Sequence, residues 1–284
     1  MLYSKGFIQD SKDYGYRPHS VLLGATLPTL TTPNLLPFTK GWIWQADASM
    51  CVGMALKRAV QQSLEANGAP DHPMISGDFA YKAGRAAANS GDDPDKAPPL
   101  EDNGSQPGLI LYATRAAGVR LEAHCPDPST DPKLLPDGVE PWSIDRINQA
   151  PTPDDLVEAY DMKGLEFFEV TSPAGQKKQA IRDCMLRRQP VIFGIFVDSG
   201  VNDNRGEVIR KVNLLDPSGG GHMLCAGDAS SDDHLIFCNW WRNNAQGIEW
   251  GDADGNGRIA WPLIETNVIQ AFAVKAVPAL LRAA

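Results

Sequence analysis

Cys51 and Gln45 are the first residues in the chain whose types and spacing suggest chemistry. Cys51 begins a segment with helical apolar periodicity, and Gln45 stands shortly before it. In the first turn of a helix, unpaired N–H groups and the positive end of the macrodipole favour a thiolate over a thiol. Gln45 is close enough to direct its side-chain NH2 toward an atom that the sulfur attacks. The pair indicates a nucleophile with part of an oxyanion hole, the alternative being a buried cysteine in a core helix.

A base for this thiol is indicated by the segment GGGHMLCAGD, in which His222 follows three glycines and opens an apolar strand. The glycines allow a substrate backbone to approach and leave one imidazole edge open. Asn239 ends the next predicted strand, and the intervening turn DASSDD would bring it beside His222. An Asn carbonyl that accepts the imidazole N–H would fix the tautomer and leave the other nitrogen for a sulfur. We therefore expect Cys51, His222 and Asn239 to act together.

The helix that carries Cys51 is predicted to extend to about Ala66. Its apolar positions recur at three- and four-residue steps, and Gly68 suits the left-handed residue that follows a helix C-terminus. Its other face is polar, with Lys57, Arg58, Gln61, Gln62 and Glu65. We expect a core helix.

The rest of the first part of the chain is predicted to be helical with long loops. Helices are expected over 79–88, from a cap at Ser105 to Gly118, and from Thr152-Pro153 to Gly164. The polar segment 89–104 is expected to be an exposed loop.

From residue 165 the pattern changes to strands. Strands are predicted over 165–170, 190–197, 208–215, 222–228, 234–241 and 258–261, with one helix over 176–188. The fold class is therefore α+β with two lobes. We predict an extended N-terminal arm over 1–40, a helical lobe over 41–164 that carries the nucleophile, and a β-rich lobe over 165–284 that carries His222 and Asn239.

Composition excludes several kinds of partner. The chain has 284 residues, of which 43% are hydrophobic and 21% charged, and a net charge of −9. With no basic stripe we expect neither nucleic acid nor a membrane surface as a partner. No apolar run is long enough to span a membrane, and no secretory signal is recognisable. A cytoplasmic or virion-associated location is favoured.

The cysteines are expected to be free thiols. There are five, an odd number, and none lies in a C-x-x-C motif; they are Cys51, Cys125, Cys184, Cys225 and Cys238. This pattern is typical of a reducing compartment and not of a disulfide framework or a zinc site.

Taken in order, Gln45, Cys51, Gly-Gly-His222 and Asn239-x-Trp241 make the chain resemble the papain-like cysteine peptidases. The resemblance implies a papain-like fold in which the second lobe is an antiparallel, barrel-like sheet. It also implies that Cys51 is the nucleophile, His222 the base and acid, and Asn239 the residue that orients the histidine. The oxyanion hole would be formed by Gln45 and the Cys51 backbone N–H. A peptide or protein is the implied substrate, and no cofactor or metal is implied.

Four further residues take implied roles at the substrate. Trp241 would shield the histidine–asparagine hydrogen bond. Gly104 and Ser105, in the stretch Asp102-Asn103-Gly104-Ser105, look like the family's glycine wall, which pairs with the substrate backbone. Gly221 is similarly placed before the histidine.

The sequence also departs from the family pattern. Val52 replaces the aromatic residue that usually follows the nucleophile, and Ala48 replaces a cysteine that usually forms a disulfide beside the site. Arg242 stands where the family mostly has glycine. These departures predict a divergent member of bacterial or viral type.

Two other functions stay open. One is a papain-fold structural or binding protein, for instance within a viral particle. The other is an acyltransferase or transglutaminase-like enzyme with the same three residues.

Asp252 to Ile259 resembles the first part of an EF-hand loop, but Leu263 stands where a bidentate Glu is needed, so we expect a Gly/Asp turn.

Overall fold

The computed structural model describes residues 28–41, 43–45, 48–89, 100–127, 143–160, 162, 164–241 and 249–276, with the backbone of 17–18. Most of the predicted N-terminal arm, the centre of the predicted loop 89–104 and Arg242 lie outside these residues.

Eight α-helices and eight strands are formed by the described residues. The helices are α1 Cys51–Ala66, α2 Gly77–Asn89, α3 Pro107–Ala117, α4 Ile144–Ile147, α5 Pro153–Tyr160, α6 Lys177–Leu186, α7 Ser199–Asn202 and α8 Trp261–Asn267. The strands are β1 Arg17–Pro18, β2 Leu165–Glu169, β3 Val191–Val197, β4 Val208–Ile209, β5 Gly220–Asp228, β6 His234–Cys238, β7 Asn256–Ala260 and β8 Val268–Ala276. None of these helices is long and apolar enough to cross a membrane.

The described strands form one sheet in the order β1-β2-β8-β3-β5-β6-β7-β4. The inner pairs are antiparallel, whereas the two short edge strands, β1 and β4, pair in parallel. The α+β, two-lobed prediction is confirmed. In detail, the sheet of the second lobe is mixed and open among the described residues, because its edge strands β1 and β4 pair only with β2 and β7.

Helix α1 is buried on all sides, although one of its faces is polar. Its apolar residues from Cys51 to Leu64 pack with the inner face of the sheet in one core cluster. On the polar face, Lys57 binds Asp127, and Arg58 donates to the carbonyl oxygens of Lys40 and Gly41. Buried polar groups are costly unless they are hydrogen-bonded, and these partners bind the Lys57 ammonium and the two terminal nitrogens of Arg58. The helix that carries Cys51 is therefore the central element of the fold.

The N-terminal half of α1 lies against the start of α2 because two glycines meet there. A Cβ atom at Gly53 would lie 2.2 Å from the carbonyl oxygen of Gly77. Any side chain at Gly53 would push the helices apart, close to the end of α1 that carries Cys51.

The predicted helices are present, but one predicted cap is wrong. Helix α3 begins after Gln106, which makes no side-chain cap, so Ser105 is not the N-cap. Gly118 ends α3 with φ +95°, and Thr152 caps α5 by accepting the Asp155 N–H at 3.2 Å. The α5 helix stops at Tyr160, before Gly164.

The predicted strand over 208–215 is mostly a loop, since only Val208–Ile209 pair with the sheet. The Asp198 carboxylate accepts the Asn213 N–H, and the Asp216 carboxylate accepts the N–H groups of Ser199 and Ser218. Carboxylates that bind nearby backbone N–H groups compete with a sheet ladder. Leu214 and Leu215 therefore stand exposed.

The C-terminal part adds two elements that the sequence pattern left unassigned. The predicted strand 258–261 ends at Ala260, and Trp261 begins α8 with a proline in its first turn. Strand β8 follows and pairs with both β2 and β3.

Candidate active site

Cys51 is the first residue of α1, and its sulfur accepts a hydrogen bond from the Met223 N–H at 3.4 Å. Met223 follows His222 in β5. This contact joins the start of the central helix to the strand that carries the histidine, although 172 positions separate the two residues in sequence.

His222 and Asn239 are brought together by β5 and the end of β6. The His222 Nε2 atom lies 2.7 Å from Asn239 Oδ1. The same oxygen accepts the backbone N–H of Trp240 at 2.9 Å. Because a backbone N–H can only donate, the Asn239 atom that faces His222 is an acceptor. His222 must then carry its hydrogen on Nε2, which leaves Nδ1 as the nitrogen that can take a proton.

Two tryptophans enclose this pair. The Trp241 ring stacks on the His222 imidazole, with centroids 4.2 Å apart and planes inclined by 20°. Trp240 donates its indole N–H to the Met223 carbonyl oxygen at 2.9 Å. Both indoles are fully buried, and the Trp241 ring lies against the face of the imidazole.

Gln45 lies in the turn before α1. Its backbone N–H donates to the Trp240 carbonyl oxygen at 3.3 Å, and its side-chain Nε2 donates to the Ala48 carbonyl oxygen at 2.9 Å. The Ala48 N–H in turn donates to the Gln45 carbonyl oxygen at 3.2 Å. The amide is thus held beside the first turn of α1 and beside the segment that carries Asn239.

The segment 100–105 contributes a carboxylate that sequence analysis did not assign to the site. Asp102 accepts the Ser49 N–H on both oxygens, at 3.0 and 3.1 Å, and the Tyr81 hydroxyl at 2.7 Å. The Tyr81 oxygen accepts the Gly104 N–H at 3.1 Å. In the sequence, only the position of Asp102 beside the predicted glycine wall indicated that its carboxylate could lie near the site.

The four predicted substrate-contacting residues occupy different environments. Gly104, with φ +86°, and Ser105 are buried, and the Gly104 N–H is directed at Tyr81. Gly221 is half-buried in β5 and pairs with Phe196 of β3. Trp241 covers His222. The roles of these four residues at a substrate stay predictions.

The centre of the site is closed. The side chains of Gln45, Cys51 and His222 are each 0% exposed, and Asn239 is 5% exposed. A cavity of about 460 Å³ borders Asn239 and Cys238 on one side. The Cys51 side chain is therefore not exposed to solvent in this structure.

All five cysteines are free thiols, and four of them lie in surroundings that disfavour a thiolate. Burial raises the pKa of Cys125 to about 11 and that of Cys184 to about 12. Burial likewise raises the pKa of Cys225 and Cys238. Cys51 is the cysteine placed at a helix N-terminus and beside the histidine strand.

The segment that resembles part of an EF-hand forms a turn before β7. Asp252 Oδ1 accepts the backbone N–H groups of Asp254 and Asn256, and its Oδ2 lies 3.4 Å from Arg258. These contacts occupy the carboxylate that would be the first ligand of a calcium loop. No cluster of three or more His, Cys, Asp or Glu suited to a metal ion is found in the described residues.

Comparison with known proteins shows the fold. Xylellain, a cysteine protease from Xylella fastidiosa, is similar with a TM-score of 0.67, at 19% identity over 97% of both chains. A procathepsin B from Trypanosoma congolense is similar at 12% identity, over 98% of this chain and 87% of the other, with a TM-score of 0.63. Procathepsin L 3 of the Tenebrio molitor larval midgut gives a TM-score of 0.60 at 12% identity, over 97% and 76% of the two chains.

No model of a protein family and no curated protein matches the sequence. The chain therefore has the papain-like fold with a divergent sequence, as the resemblance predicted.

Proposed function

We propose that the protein is a cysteine peptidase in which Cys51, His222 and Asn239 hydrolyse peptide bonds. The observation that carries the proposal is the contact between the Cys51 sulfur and the Met223 N–H, next to a histidine whose Nε2 is held by Asn239. The similar folds of known cysteine proteases support it.

The reaction would begin with transfer of the Cys51 proton to Nδ1 of His222. The position of the sulfur at the N-terminus of α1 favours the resulting thiolate. The thiolate attacks the scissile carbonyl carbon and forms a tetrahedral intermediate. Its oxyanion would be bound by the Gln45 amide and by the Cys51 backbone N–H.

Collapse of this intermediate breaks the C–N bond, and His222 gives its proton to the leaving amine. Water then enters, loses a proton to His222 and releases the acyl group, which restores the thiol. Asn239 keeps the imidazole in the required tautomer through both steps, and Trp241 keeps water from competing for that hydrogen bond.

An acyltransferase would form the same acyl thioester on Cys51 but would transfer the acyl group to an amine in place of water. A binding protein would use none of this chemistry. A peptide-library cleavage profile in the presence of reductant distinguishes the three. We expect cleavage by the wild-type protein and none by the Cys51→Ala and His222→Ala variants. Amide exchange onto an added amine without net hydrolysis would support the acyltransferase. Absence of any turnover would support the binding protein.

A further inference from the structure

The peptide unit between Ala48 and Ser49 is held from both ends. Its C=O accepts the Gln45 Nε2–H at 2.9 Å, and its N–H donates to both oxygens of Asp102. In a trans peptide the C=O and N–H bonds point in opposite directions. Asp102 and Gln45 therefore lie on opposite sides of one rigid, planar group.

This arrangement links the electrostatics of the two side chains as well as their positions. A hydrogen bond to an ionised carboxylate is stronger than a neutral one, and hydrogen bonds in a chain polarise one another. The negative charge of Asp102 on the Ser49 N–H makes the Ala48 carbonyl oxygen a better acceptor. The hydrogen bond that fixes the Gln45 amide is thereby strengthened.

Asp102 is itself held firmly. Tyr81 donates to it, and burial raises the pKa of Tyr81, so the hydroxyl keeps its proton. The Ser49 hydroxyl donates to the Asp102 carbonyl oxygen at 3.2 Å. Arg85 lies 4.0 Å from the centre of the Tyr81 ring and donates to the carbonyl oxygen of Glu101 at 2.7 Å. Tyr81 thus holds the carboxylate, and the other two contacts hold the backbone that carries it. Asp102 therefore restricts the position of the peptide that it binds.

We propose that Asp102 is a positioning residue for the oxyanion-hole amide of Gln45, acting through the peptide bond between Ala48 and Ser49. The inference rests on the proposed peptidase function for its effect on turnover. Asp102 does not touch the reacting atoms. It fixes the Ala48 carbonyl oxygen, and that oxygen orients the Gln45 amide. Without Asp102, Gln45 would still be present, but its amide would no longer be held in the orientation that binds the oxyanion.

A double-mutant cycle tests this route. Removal of one oxyanion donor costs about a hundredfold in kcat, and an indirect effect through that donor has to be smaller. We expect Asp102→Ala to lower kcat about tenfold in the wild-type background and less than about twofold in the Gln45→Ala background. Asp102→Asn, which keeps an acceptor oxygen for the Ser49 N–H, should recover part of the loss. Equal losses from Asp102→Ala in both backgrounds would overturn the proposal.

Tyr81→Phe is the matched control. It removes the hydroxyl that Asp102 and the Gly104 N–H share, but it leaves both hydrogen bonds from the Ser49 N–H in place. Because Tyr81 is one of the groups that hold Asp102, we expect a loss in kcat that is smaller than that of Asp102→Ala. The change in KM, through Gly104, should be of the same size with and without Gln45.

A second measurement does not depend on catalysis. The side-chain amide signals of Gln45 in an NMR spectrum can be assigned by their loss in Gln45→Ala. We expect Asp102→Ala to shift them, and Tyr81→Phe, which keeps both hydrogen bonds from the Ser49 N–H, to shift them less. Unmoved signals in Asp102→Ala would refute the positioning role even if the protein cleaved peptides. If the signals move but no peptide is cleaved, the positioning role stands and the peptidase function fails.

Discussion

Asn239 binds His222 Nε2 with the same carbonyl oxygen that accepts the Trp240 N–H. The Asn239 oxygen is thus held by a backbone N–H of its own segment as well as by the histidine. The atom that contacts His222 Nε2 is therefore also held at the strand end, and the Trp241 ring covers the imidazole from the face.

Replacing Asn239 should weaken catalysis without abolishing it. Asn239→Ala removes both buried hydrogen bonds of the Asn239 Oδ1 atom. Loss of the one to His222 should cost about 1–1.5 kcal/mol, or roughly tenfold in kcat/KM. Asn239→Asp keeps an acceptor and adds a negative charge, which favours the imidazolium. The pH profile of kcat/KM for Asn239→Asp should then move to higher pH, whereas that of Asn239→Ala should not. A profile of Asn239→Asp that coincides with the wild type would contradict this role.

Cys51 should be the thiol that reacts first. The other four cysteines are thiols with pKa values raised by burial. Iodoacetamide at mildly acidic pH, followed by mass spectrometry of peptides, should find Cys51 modified ahead of the rest, because only a thiolate reacts. His222→Ala should slow this modification. Equal modification of several cysteines, or indifference to His222, would argue against the Cys51–His222 pair.

The Gln45 amide should act on the chemical step alone. Gln45→Ala is expected to lower kcat about a hundredfold or more, with a much smaller change in KM. Alkylation of Cys51 should proceed nearly as in the wild type, since α1 and His222 are intact. Turnover and alkylation are measured side by side on the same preparation. Unchanged turnover would remove Gln45 from the mechanism.

Redox conditions should affect activity and not stability. With Ala48 in place of a disulfide-forming cysteine, five thiols are expected to titrate with a thiol reagent in denaturant. Omission of reductant should lower turnover, because Cys51 oxidises, and leave the midpoint of thermal unfolding unchanged. An intramolecular disulfide in the freshly isolated protein would be evidence against the free-thiol prediction.

The buried charge of Lys57 on α1 should make the free energy of unfolding fall at alkaline pH. Burial lowers the pKa of Lys57, but the charges of Asp127 and Glu122 outweigh it, and the net pKa is raised. A raised pKa in the folded state contributes stability that is present below the unfolded value, about 10.4, and is lost as pH rises through the folded value. Urea unfolding should show this decline in the wild type.

Lys57→Met tests the same group at neutral pH. It leaves the Asp127 carboxylate buried without its cation, which should cost about 3–5 kcal/mol and remove the alkaline decline. The matched control is Lys40→Met, because Lys40 lies 3.2 Å from Glu65 with a side chain that is 55% exposed. It should cost less than about 1 kcal/mol. Similar losses from both variants would mean that the burial of Lys57 is unimportant.

Local patterns in the sequence were enough to predict the main elements near the site. The apolar spacing after Cys51 predicts α1 and its burial, Gly118 stops α3, and Thr152 with Pro153 begins α5. These signals depend on residues within a few positions of one another, where helix geometry and capping dominate. The proximity of His222 and Asn239 was predictable for the same reason, since adjacent strands joined by a short turn pair with each other.

Other features depend on which distant segments meet, and no local pattern reports that. In the sequence, the polar face of α1 has the pattern of a solvent-exposed face. In the structure, Asp127 and the carbonyl oxygens of Lys40 and Gly41 cover it. The strand pattern over 208–215 is overridden where Asp198 binds the Asn213 N–H and Asp216 binds the flanking N–H groups of Ser199 and Ser218. The sequence by itself determined the nucleophile, the base, the orienting asparagine and the amide donor as candidates. Only the tertiary structure placed the Asp102 carboxylate against the Ser49 N–H, because that contact joins two loops whose separation in space is set by the packing of α1, α2 and α3.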